Sequence, residues 1–427
     1  MNPRITILAF GTRGDVAPLT GVATGLRDRV GATVTIAAQH PYEQMVTRAG
    51  HTFRLLPRDT EADTRSSTYG QAMIDGHRLK PSKDAIKGMR DDLAGVGEAM
   101  AAAAEDADLL LCGGPVGSLL GWHVAEAVGC RSAALVLQPS SPTGDFAPPA
   151  LGVRSYGRLG NRTAWRVAAA GEKLFAPLID DLRKTLGLAH ESRPGPRRRR
   201  QQSWTQLCGF SESVVPRPRD WPDNVHVTGY WWPTDDRFDE PPAGLVDFLA
   251  DGPPPVYVGL GSTAISDGER ISEIVRDALR SSGLRGIVHR GWAHLDGGSD
   301  DTVHTVDDIP HSWLLPQTAA AVHHCGAGTT AATLRAGIPT VALPGIMDQP
   351  FWASRLRRIG VAPDPIPRTS VTVENLTAAL RKVTEVEADR SGFRNRANTI
   401  SRDITAENGI VRACQIVENL LSAPTPV

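Results

Sequence analysis

The chain has 427 residues, of which 41% are hydrophobic and 22% charged, with a formal net charge of -1 and a pI of about 6.9. This length predicts two or three domains, each able to bury its own core. The balanced charge gives no indication of nucleic acid or a membrane as the main partner.

Neither the chain start nor the cysteines indicate export. The apolar run at residues 5–10 is too short for a signal peptide, and the longest uncharged stretch, 109–122, is shorter than the ~20 residues of a membrane helix. The cysteines are odd in number and lack CxxC spacing: Cys112, Cys130, Cys208, Cys325 and Cys414. We therefore expect a cytoplasmic protein without disulfides or a zinc site.

Strand-like runs alternate with helical stretches in both halves of the chain. In the first half the apolar runs are RITILAF, ATVTIAA, DADLLLCG and RSAALVLQ. In the second half they are PVYVGLGS, RGIVHRG, AAAVHHCG and PTVALPG. This alternation is typical of parallel sheets covered by helices. The chain is therefore predicted to form two doubly wound α/β domains.

The seam between the domains is predicted from composition. A stretch rich in Pro, Asp and Trp, 216–244, is interpreted as an ordered linker between a first domain, 1–215, and a second domain, 245–403. The last segment, 404–427, is predicted to be an amphipathic helix that packs back toward the first domain. The arginine-rich run 191–203 is interpreted as a solvated loop, with contact to an anionic lipid surface or an acidic partner as the alternative.

One β-α turn has the features of an anion site. VHHCGAGTTAATLRAGIPT (322–340) predicts a strand, a glycine turn and a helix that starts near Gly328 and ends before Gly337. Free backbone N–H groups at such a helix start suit a phosphate. Thr329, Thr330 and His324 could donate further hydrogen bonds. The alternative is a plain glycine turn with one capping threonine.

Two further groups of polar residues follow predicted strands. Asp348 and Gln349 could bind sugar hydroxyls, while Asp348 could also cap the next helix, which has Pro350 in its first turn. Asp15 ends the motif GTRGD after the first strand, where it could equally cap a helix starting near Val16. Because ligands bind beyond the carboxyl ends of strands in doubly wound sheets, both glycine turns should line a cleft between the domains.

The segment IPHSWLLPQTAAAVHHCGAGTTAATLRAGIPTVALPGIMDQPFWASRL (309–356) resembles the donor-binding signature of family 1 glycosyltransferases of the GT-B fold. It looks closest to the sterol glucosyltransferase-like branch and the bacterial antibiotic glycosyltransferases. FGTRGDVAPLTGVATGL (10–26), GLGS (259–262) and RGW (290–292) occur in the same order as in that family. The resemblance implies two Rossmann-like domains facing across a cleft, with acceptor binding in the first and donor binding in the second.

The resemblance also implies a donor site. Its residues are Thr12, Arg13, Ser262, Trp292, Val306, Ile309, His324, Ala327, Gly328, Thr329, Asp348 and Gln349. The turn around His324 and Ser262 would hold the diphosphate, and Asp348 with Gln349 would hold the hexose. The segment from Val306 to Ile309 would contact the nucleobase, with Trp292 nearby. The expected co-substrate is UDP-glucose, and a dTDP-deoxysugar is the alternative.

Asp15 occupies the place of this branch's proposed general base, with Thr12 and Arg13 reaching the donor beside it. A positioned carboxylate can remove the acceptor proton in the transition state, which contributes typically ~10²–10⁴-fold. Arg13 would lower the pKa of Asp15 and burial would raise it.

Two absences bear on mechanism. No glutamate lies between His311 and Val373, so the Glu-x₇-Glu pattern of retaining GT-B enzymes is missing and inversion is expected. Asp106 and Asp108 have DxD spacing but precede a buried strand, so they are interpreted as a helix end and no metal is expected.

The acceptor is expected to be a lipophilic alcohol such as a sterol, polyketide or antibiotic aglycone. LQPSSPTGDFAPPALG (137–152) follows a first-domain strand and could form an apolar wall from Pro139, Ser140 and Phe146. The alternative is a proline-rich surface loop.

Three other functions remain open. A dehydrogenase is disfavoured because GTRGD lacks the GxGxxG pattern and a suitably placed acidic ribose ligand. A GT-B sugar-nucleotide epimerase or hydrolase would share the diphosphate site. A catalytically silent partner of another transferase would not require Asp15, His324, Asp348 and Gln349 together.

Overall fold

A computed structural model describes residues 2–75, 83–190, 203–234, 241–384 and 392–423. Nearly all of the arginine-rich run 191–203 lies outside these ranges. All five cysteines are free thiols. Among the described helices, none has both the length and the apolar character needed to cross a bilayer.

The N-terminal domain is built on a seven-stranded parallel sheet in the order β3-β2-β1-β4-β5-β6-β7. Its strands are β1 (Arg4–Ala9), β2 (Thr33–Gln39), β3 (Thr52–Leu56), β4 (Leu109–Gly113), β5 (Arg131–Val136), β6 (Gln206–Cys208) and β7 (Val225–Val227). Its described helices are α1 (Arg13–Gly25), α2 (Glu43–Arg48), α3 (Thr60–Ser66), α4 (Thr68–Ile74), α5 (Lys83–Asp91), α6 (Val96–Ala103), α7 (Gly114–Val128), α8 (Gly157–Gly171) and α9 (Ala176–Thr185). Central strands such as LLLCG are buried throughout because helices cover both faces of a parallel sheet.

The C-terminal domain is built on a five-stranded parallel sheet in the order β10-β9-β8-β11-β12. Its strands are β8 (Val256–Gly259), β9 (Gly286–His289), β10 (Val303–Val306), β11 (Ala320–His323) and β12 (Thr340–Ala342). The described helices of this half are α10 (Ala243–Ala250), α11 (Gly268–Ser282), α12 (His311–Leu314), α13 (Ala327–Ala336), α14 (Gln349–Arg358), α15 (Val373–Thr384), α16 (Phe393–Ala406) and α17 (Gly409–Ser422).

The predicted pair of doubly wound α/β domains is confirmed. In the first sheet the strand order reverses direction between β1 and β4, and in the second between β8 and β11. Ligands of such sheets bind in the crevice at this reversal. Helix α1 follows β1 directly and α13 follows β11, so the two glycine turns of interest both lie at reversal points.

The boundary between the domains differs from the composition-based prediction. Strand β7 lies inside the stretch 216–244, so we place the end of the first domain's sheet at Val227 instead of residue 215. The error arose because Pro, Asp and Trp around this short strand mask its apolar pattern. Helix α16 continues to Ala406, beyond the predicted domain end at 403, and packs against α13.

Two connecting segments touch each other beside the first domain. One follows β7, and the other joins α16 to α17. A Cβ on Gly229 would lie 2.9 Å from Oε2 of Glu407, and a Cβ on Gly409 would collide with the carbonyl oxygen of Tyr230. Helix α17 then packs against α1 of the first domain.

Candidate active site

The starts of α1 and α13 face each other across the interdomain cleft. A Cβ placed on Gly328, in the first turn of α13, would lie 3.9 Å from the Cα of Gly14, in the first turn of α1. Residues from GTRGD and HHCGAGTT, which are more than 300 positions apart, are therefore brought together. Both helix starts direct unpaired N–H groups and a partial positive charge toward this space.

Asp15 is fixed by its own helix start. Thr12 is the N-cap of α1, and Oδ2 of Asp15 accepts hydrogen bonds from the Thr12 backbone N–H (2.8 Å) and hydroxyl (3.0 Å). The prediction that Asp15 caps a helix is thus partly confirmed: Asp15 is the acidic member of a capping box, and the N-cap itself is Thr12. A Cβ on Gly11 would collide with Oδ2. Among the described residues none donates to Oδ1, the oxygen left for a ligand.

Burial raises the pKa of Asp15, and the hydrogen bonds from Thr12 oppose this effect. The predicted lowering by Arg13 does not occur. The Arg13 guanidinium instead forms an ion pair with Asp308 of the second domain, at 2.9 Å. Asp15 is therefore a more basic carboxylate than an exposed aspartate, as proton abstraction requires.

The two histidines that end β11 have different surroundings. His323 is completely buried, and its Nδ1 accepts the backbone N–H of Cys325 at 3.1 Å. The hydroxyls of Thr333 and Thr340 both lie 3.4 Å from its Nε2. These contacts hold the glycine turn against the helix and the neighbouring strand, so His323 supports the site without facing it.

His324 packs between two glycines at the cleft. A Cβ on Gly261 would lie 2.6 Å from its Cε1, and a Cβ on Gly326 would collide with Nε2. Gly261 also has φ of +57°, a left-handed conformation that favours glycine. Burial lowers the pKa of His324 to about 4, although a hydrogen bond to the Gly259 backbone opposes this shift. The ring is therefore neutral at pH 7 and can donate one N–H to an anion.

The N-terminus of α13 has no side-chain cap. The helix begins at Ala327, one residue before the predicted start, with Gly326 as N-cap, and ends before Gly337 in a left-handed conformation, as predicted. Thr329 is half-buried beside it. The Thr330 hydroxyl is buried and has no hydrogen-bond partner among the described residues. The free N–H groups of this first turn make it the better anion site of the two helix starts.

Asp348 and Gln349 each use one side-chain oxygen in an intramolecular hydrogen bond, and each has another polar atom that can bind a ligand. Asp348 is the N-cap of α14, but its Oδ2 accepts the indole N–H of Trp352 at 2.8 Å and not a helix N–H. Burial raises the pKa of Asp348 to about 6; the Trp352 bond opposes this, and the charge of Asp15 adds to it. Oε1 of Gln349 accepts the backbone N–H of Gly345 at 2.8 Å. Its amide nitrogen remains available to a sugar hydroxyl.

The predicted nucleobase segment has two buried and two exposed side chains. The side chains of Val306 and Ile309 are buried in the core of the second domain, where they pack with Tyr257 and Leu314. Their side chains point inward and are not available to a base. Asp307 and Asp308 between them are exposed, and Asp308 is the partner of Arg13.

The predicted residues Ser262 and Trp292 occupy two turns that are bonded together. The backbone N–H of Trp292 donates to the Gly261 carbonyl at 3.1 Å, and both Ser262 and Trp292 are half-buried. Arg65 of α3 crosses from the first domain and donates to the Trp292 carbonyl at 2.6 Å. Its guanidinium also lies 3.0 Å from Nε2 of His294. The first domain thus helps to hold the Trp292 turn.

The predicted acceptor loop contains both buried and exposed side chains. Phe146 is only 8% exposed, and its ring lies 5.4 Å from that of Phe351 on α14. The Arg355 guanidinium lies 5.2 Å from the Phe146 ring. Pro139 is buried, and the exposed Ser140 donates to Gln206. Phe146 therefore joins the acceptor loop to the helix that carries Asp348 and Gln349.

Asp106 and Asp108 are explained by ion pairs. Asp106 pairs with Arg54 at 2.9 Å and Asp108 with Arg4 at 3.3 Å. They lie after the end of α6 at Ala103 and before the amino end of β4, which is the end of the strand opposite the cleft. Their DxD spacing thus serves the packing of the first sheet.

Sequence reasoning missed three residues of this site. Gln39 is buried at the end of β2, where its Oε1 accepts the Gly11 N–H at 3.1 Å. Trp352 holds Asp348, and Arg65 reaches across the cleft. Gln39 could have been found, since it is a polar residue at the carboxyl end of a buried strand next to β1. Nothing in the local sequence of Trp352 or Arg65 indicates a long-range partner.

Solved structures share this architecture. The calicheamicin glycosyltransferase CalG4 superposes with a TM-score of 0.68 at 20% identity, with all of both chains covered. The glycosyltransferase VinC in complex with dTDP gives 0.66 at 19% identity, covering 98% of this chain and 99% of that one. Two Rossmann-like domains facing across a cleft lined by glycine turns define the GT-B class.

Sequence relatives extend this result. The profile of the erythromycin biosynthesis protein CIII-like C-terminal domain matches residues 294–420. O-mycaminosyltylonolide 6-deoxyallosyltransferase of Streptomyces fradiae is 33% identical over 424 residues, 97% of each chain. A sterol 3-beta-glucosyltransferase of Arabidopsis thaliana is 30% identical over 432 residues, 96% of this chain and 64% of that protein. One from Cryptococcus neoformans (strain JEC21) is 32% identical, and this chain spans 27% of its length.

The chain belongs to the family of nucleotide-sugar glycosyltransferases that contains these antibiotic and sterol enzymes.

Proposed function

We propose that the chain transfers a hexose from a nucleoside diphosphate sugar to a hydroxyl of a lipophilic small molecule, with inversion and without a metal. The observation that carries this proposal is the Asp15 carboxylate, which is half-buried, raised in pKa and opposite the uncapped start of α13. It combines a base with an anion site in one cleft.

The proposed reaction is a single displacement. As the acceptor oxygen attacks the anomeric carbon from the face opposite the diphosphate, its proton passes to Oδ1 of Asp15. The leaving diphosphate is stabilised by the N–H groups of α13 and the neutral His324 ring. Preorganised donors of this kind often supply the largest single catalytic contribution.

The names of the relatives bear on the substrates. One transfers a 6-deoxyallosyl group to O-mycaminosyltylonolide, and others transfer glucose to sterols. We propose UDP-glucose as the donor, with a dTDP-deoxysugar as the alternative that the first relative favours. The acceptor is proposed to be a sterol, a polyketide or an antibiotic aglycone. The five free thiols favour a reducing, cytoplasmic location.

A two-way panel tests the proposal. UDP-glucose and a dTDP-deoxysugar are each incubated with sterols and macrolide aglycones, with and without EDTA, and products are identified by mass spectrometry. We expect transfer only with an acceptor, unchanged by EDTA, to a β-glycoside by the NMR coupling of the anomeric proton. An α-linked product from an α-linked donor would refute inversion. Free sugar without acceptor would indicate a hydrolase, and nucleotide binding without turnover would indicate a silent partner protein.

A further inference from the structure

Exposed apolar side chains are concentrated in one segment of the N-terminal domain. The described residues contain nine large hydrophobic side chains that are exposed, and three of them are isolated elsewhere: Leu55, Val246 and Met347. The other six fall within 151–174, and they are Leu151, Val153, Tyr156, Leu159, Val167 and Leu174. Single exposed apolar residues need no explanation, but such a local concentration marks an interaction surface.

Helix α8 presents two distinct faces. On its inner face the Trp165 indole donates to the Phe146 carbonyl at 2.9 Å, and Asn161 donates to the Gly144 carbonyl at 2.9 Å. On its outer face Leu159 and Val167 are 80% and 64% exposed. Their spacing of eight residues places them on the same side of a helix. The helix thus holds the predicted acceptor loop with one face and offers apolar side chains to the surroundings with the other.

Leu174 continues the outer apolar face. It lies seven residues after Val167, in the turn that follows α8, and is 43% exposed. We call the exposed apolar and basic side chains of 151–174 the α8 face.

The α8 face is basic although the chain as a whole is not. The segment contains one acidic residue, Glu172, in a chain with a net charge of -1. Its five basic residues are Arg154, Arg158, Arg162, Arg166 and Lys173.

Two of these cations are already neutralised. Arg158 pairs with Asp145 and Arg162 with Asp220. Within the described part of the chain, Arg154, Arg166 and Lys173 form no ion pair, so they border the apolar side chains as free positive charges.

We propose that the α8 face docks on the surface of an anionic lipid bilayer. Apolar side chains enter the boundary between headgroups and acyl chains, while arginine and lysine attract anionic headgroups. The position of α8 gives this docking a use, because its inner face holds the loop around Phe146. A lipophilic acceptor dissolved in the bilayer would be close to that loop. The docking itself does not depend on the proposed reaction.

The test is co-sedimentation of the full chain with vesicles, without any substrate. Vesicles of phosphatidylglycerol and phosphatidylcholine are compared with vesicles of phosphatidylcholine alone. We expect binding to the anionic vesicles that weakens as salt is raised. The triple variant Leu159→Ser, Val167→Ser, Leu174→Ser should bind at least tenfold more weakly. The double variant Leu55→Ser, Val246→Ser removes exposed apolar side chains elsewhere and should bind like wild type.

A charge variant completes the design. Replacing Arg154, Arg166 and Lys173 by Gln should weaken binding about fivefold for each cation removed. The arginine-rich run 191–203 is left unchanged in every variant, so its contribution is constant. All changed side chains are exposed, and unchanged circular dichroism and thermal unfolding establish that the variants are folded.

Several results would overturn the proposal. If the wild-type chain does not co-sediment with anionic vesicles, it has no lipid-binding surface of this kind. Equal binding by wild type and both α8-face variants would place the lipid contact elsewhere. Self-association by light scattering that the triple serine variant abolishes, without vesicle binding, would assign the face to a second copy of the chain. Because no reaction is measured, these outcomes are independent of whether glycosyl transfer occurs.

Discussion

Replacing Asp15 by Asn separates catalysis from folding at one position. The amide keeps the shape of the carboxylate, and its oxygen can still accept the Thr12 N–H that now lies 2.8 Å from Oδ2. It cannot accept a proton from an attacking hydroxyl. We expect the catalytic rate to fall by about 10²-fold or more, equivalent to ~2.7 kcal/mol of barrier.

The free energy of unfolding of the Asp15→Asn variant should differ little from that of wild type, and the difference should depend on pH. Weaker capping costs at most ~1 kcal/mol. Against this, burial raises the folded-state pKa of Asp15 above its unfolded value of 3.8, so folding disfavours the ionised carboxylate. For a raised pKa, the stabilising contribution is complete below pH 3.8 and is lost as pH rises through the folded pKa. The asparagine variant lacks this loss, so its stability relative to wild type should improve from pH 4 to pH 8.

Single-turnover kinetics, with enzyme in excess over the donor and with saturating acceptor, give the rate of the chemical step. Thermal unfolding at pH 4 and pH 8 gives the stability difference. Asp106→Asn is the matched control, because it removes a partly exposed carboxylate whose surface pair with Arg54 is worth ~0–1 kcal/mol. It should leave the rate unchanged. An Asp15→Asn enzyme within threefold of the wild-type rate would remove Asp15 from the role of base.

Three further variants examine the donor side. His324→Ala removes a neutral donor to the diphosphate, so calorimetry should show nucleotide diphosphate binding weakened about tenfold or more; unchanged affinity would refute the contact. Asp348→Ala with Gln349→Ala should slow hexose transfer while bare nucleotide binding stays nearly constant, and equal losses would mean that the pair acts only on structure. Trp352→Phe removes the N–H that stabilises the Asp348 carboxylate, so the pKa of Asp348 should rise above about 6 and the acidic limb of the pH–rate profile should move to higher pH. A profile superimposable on wild type would contradict a role for ionised Asp348.

Regular elements were predictable because their signals are local. The run LLLCG is apolar throughout, as a doubly covered strand requires, and Gly337 ends α13 where the sequence placed the stop. Strand β7 was missed because three residues surrounded by prolines and tryptophans carry too little pattern. Sequence periodicity therefore indicates individual helices and strands, and it indicates them only where the element is long enough to show a pattern.

Site residues were predictable by position but not by partner. That Asp15 and Gly328 would line one cleft follows from strand ends and topology. The sequence could not show that Arg13 pairs with Asp308 and leaves the carboxylate of Asp15 alone, because that contact joins residues 295 positions apart. Phe146 was assigned an open role for the same reason: its ring is covered by Phe351, which no local pattern connects to it.

The contact between the segment after β7 and the link from α16 to α17 leaves no room for a larger residue at position 409. A Cβ there would collide with the carbonyl oxygen of Tyr230, and a Cβ on Gly229 would lie 2.9 Å from Oε2 of Glu407. Helix α17 begins at Gly409 and packs against α1, the helix that carries Asp15. A substitution at this remote position should therefore disturb the setting of the Asp15 carboxylate without touching the cleft.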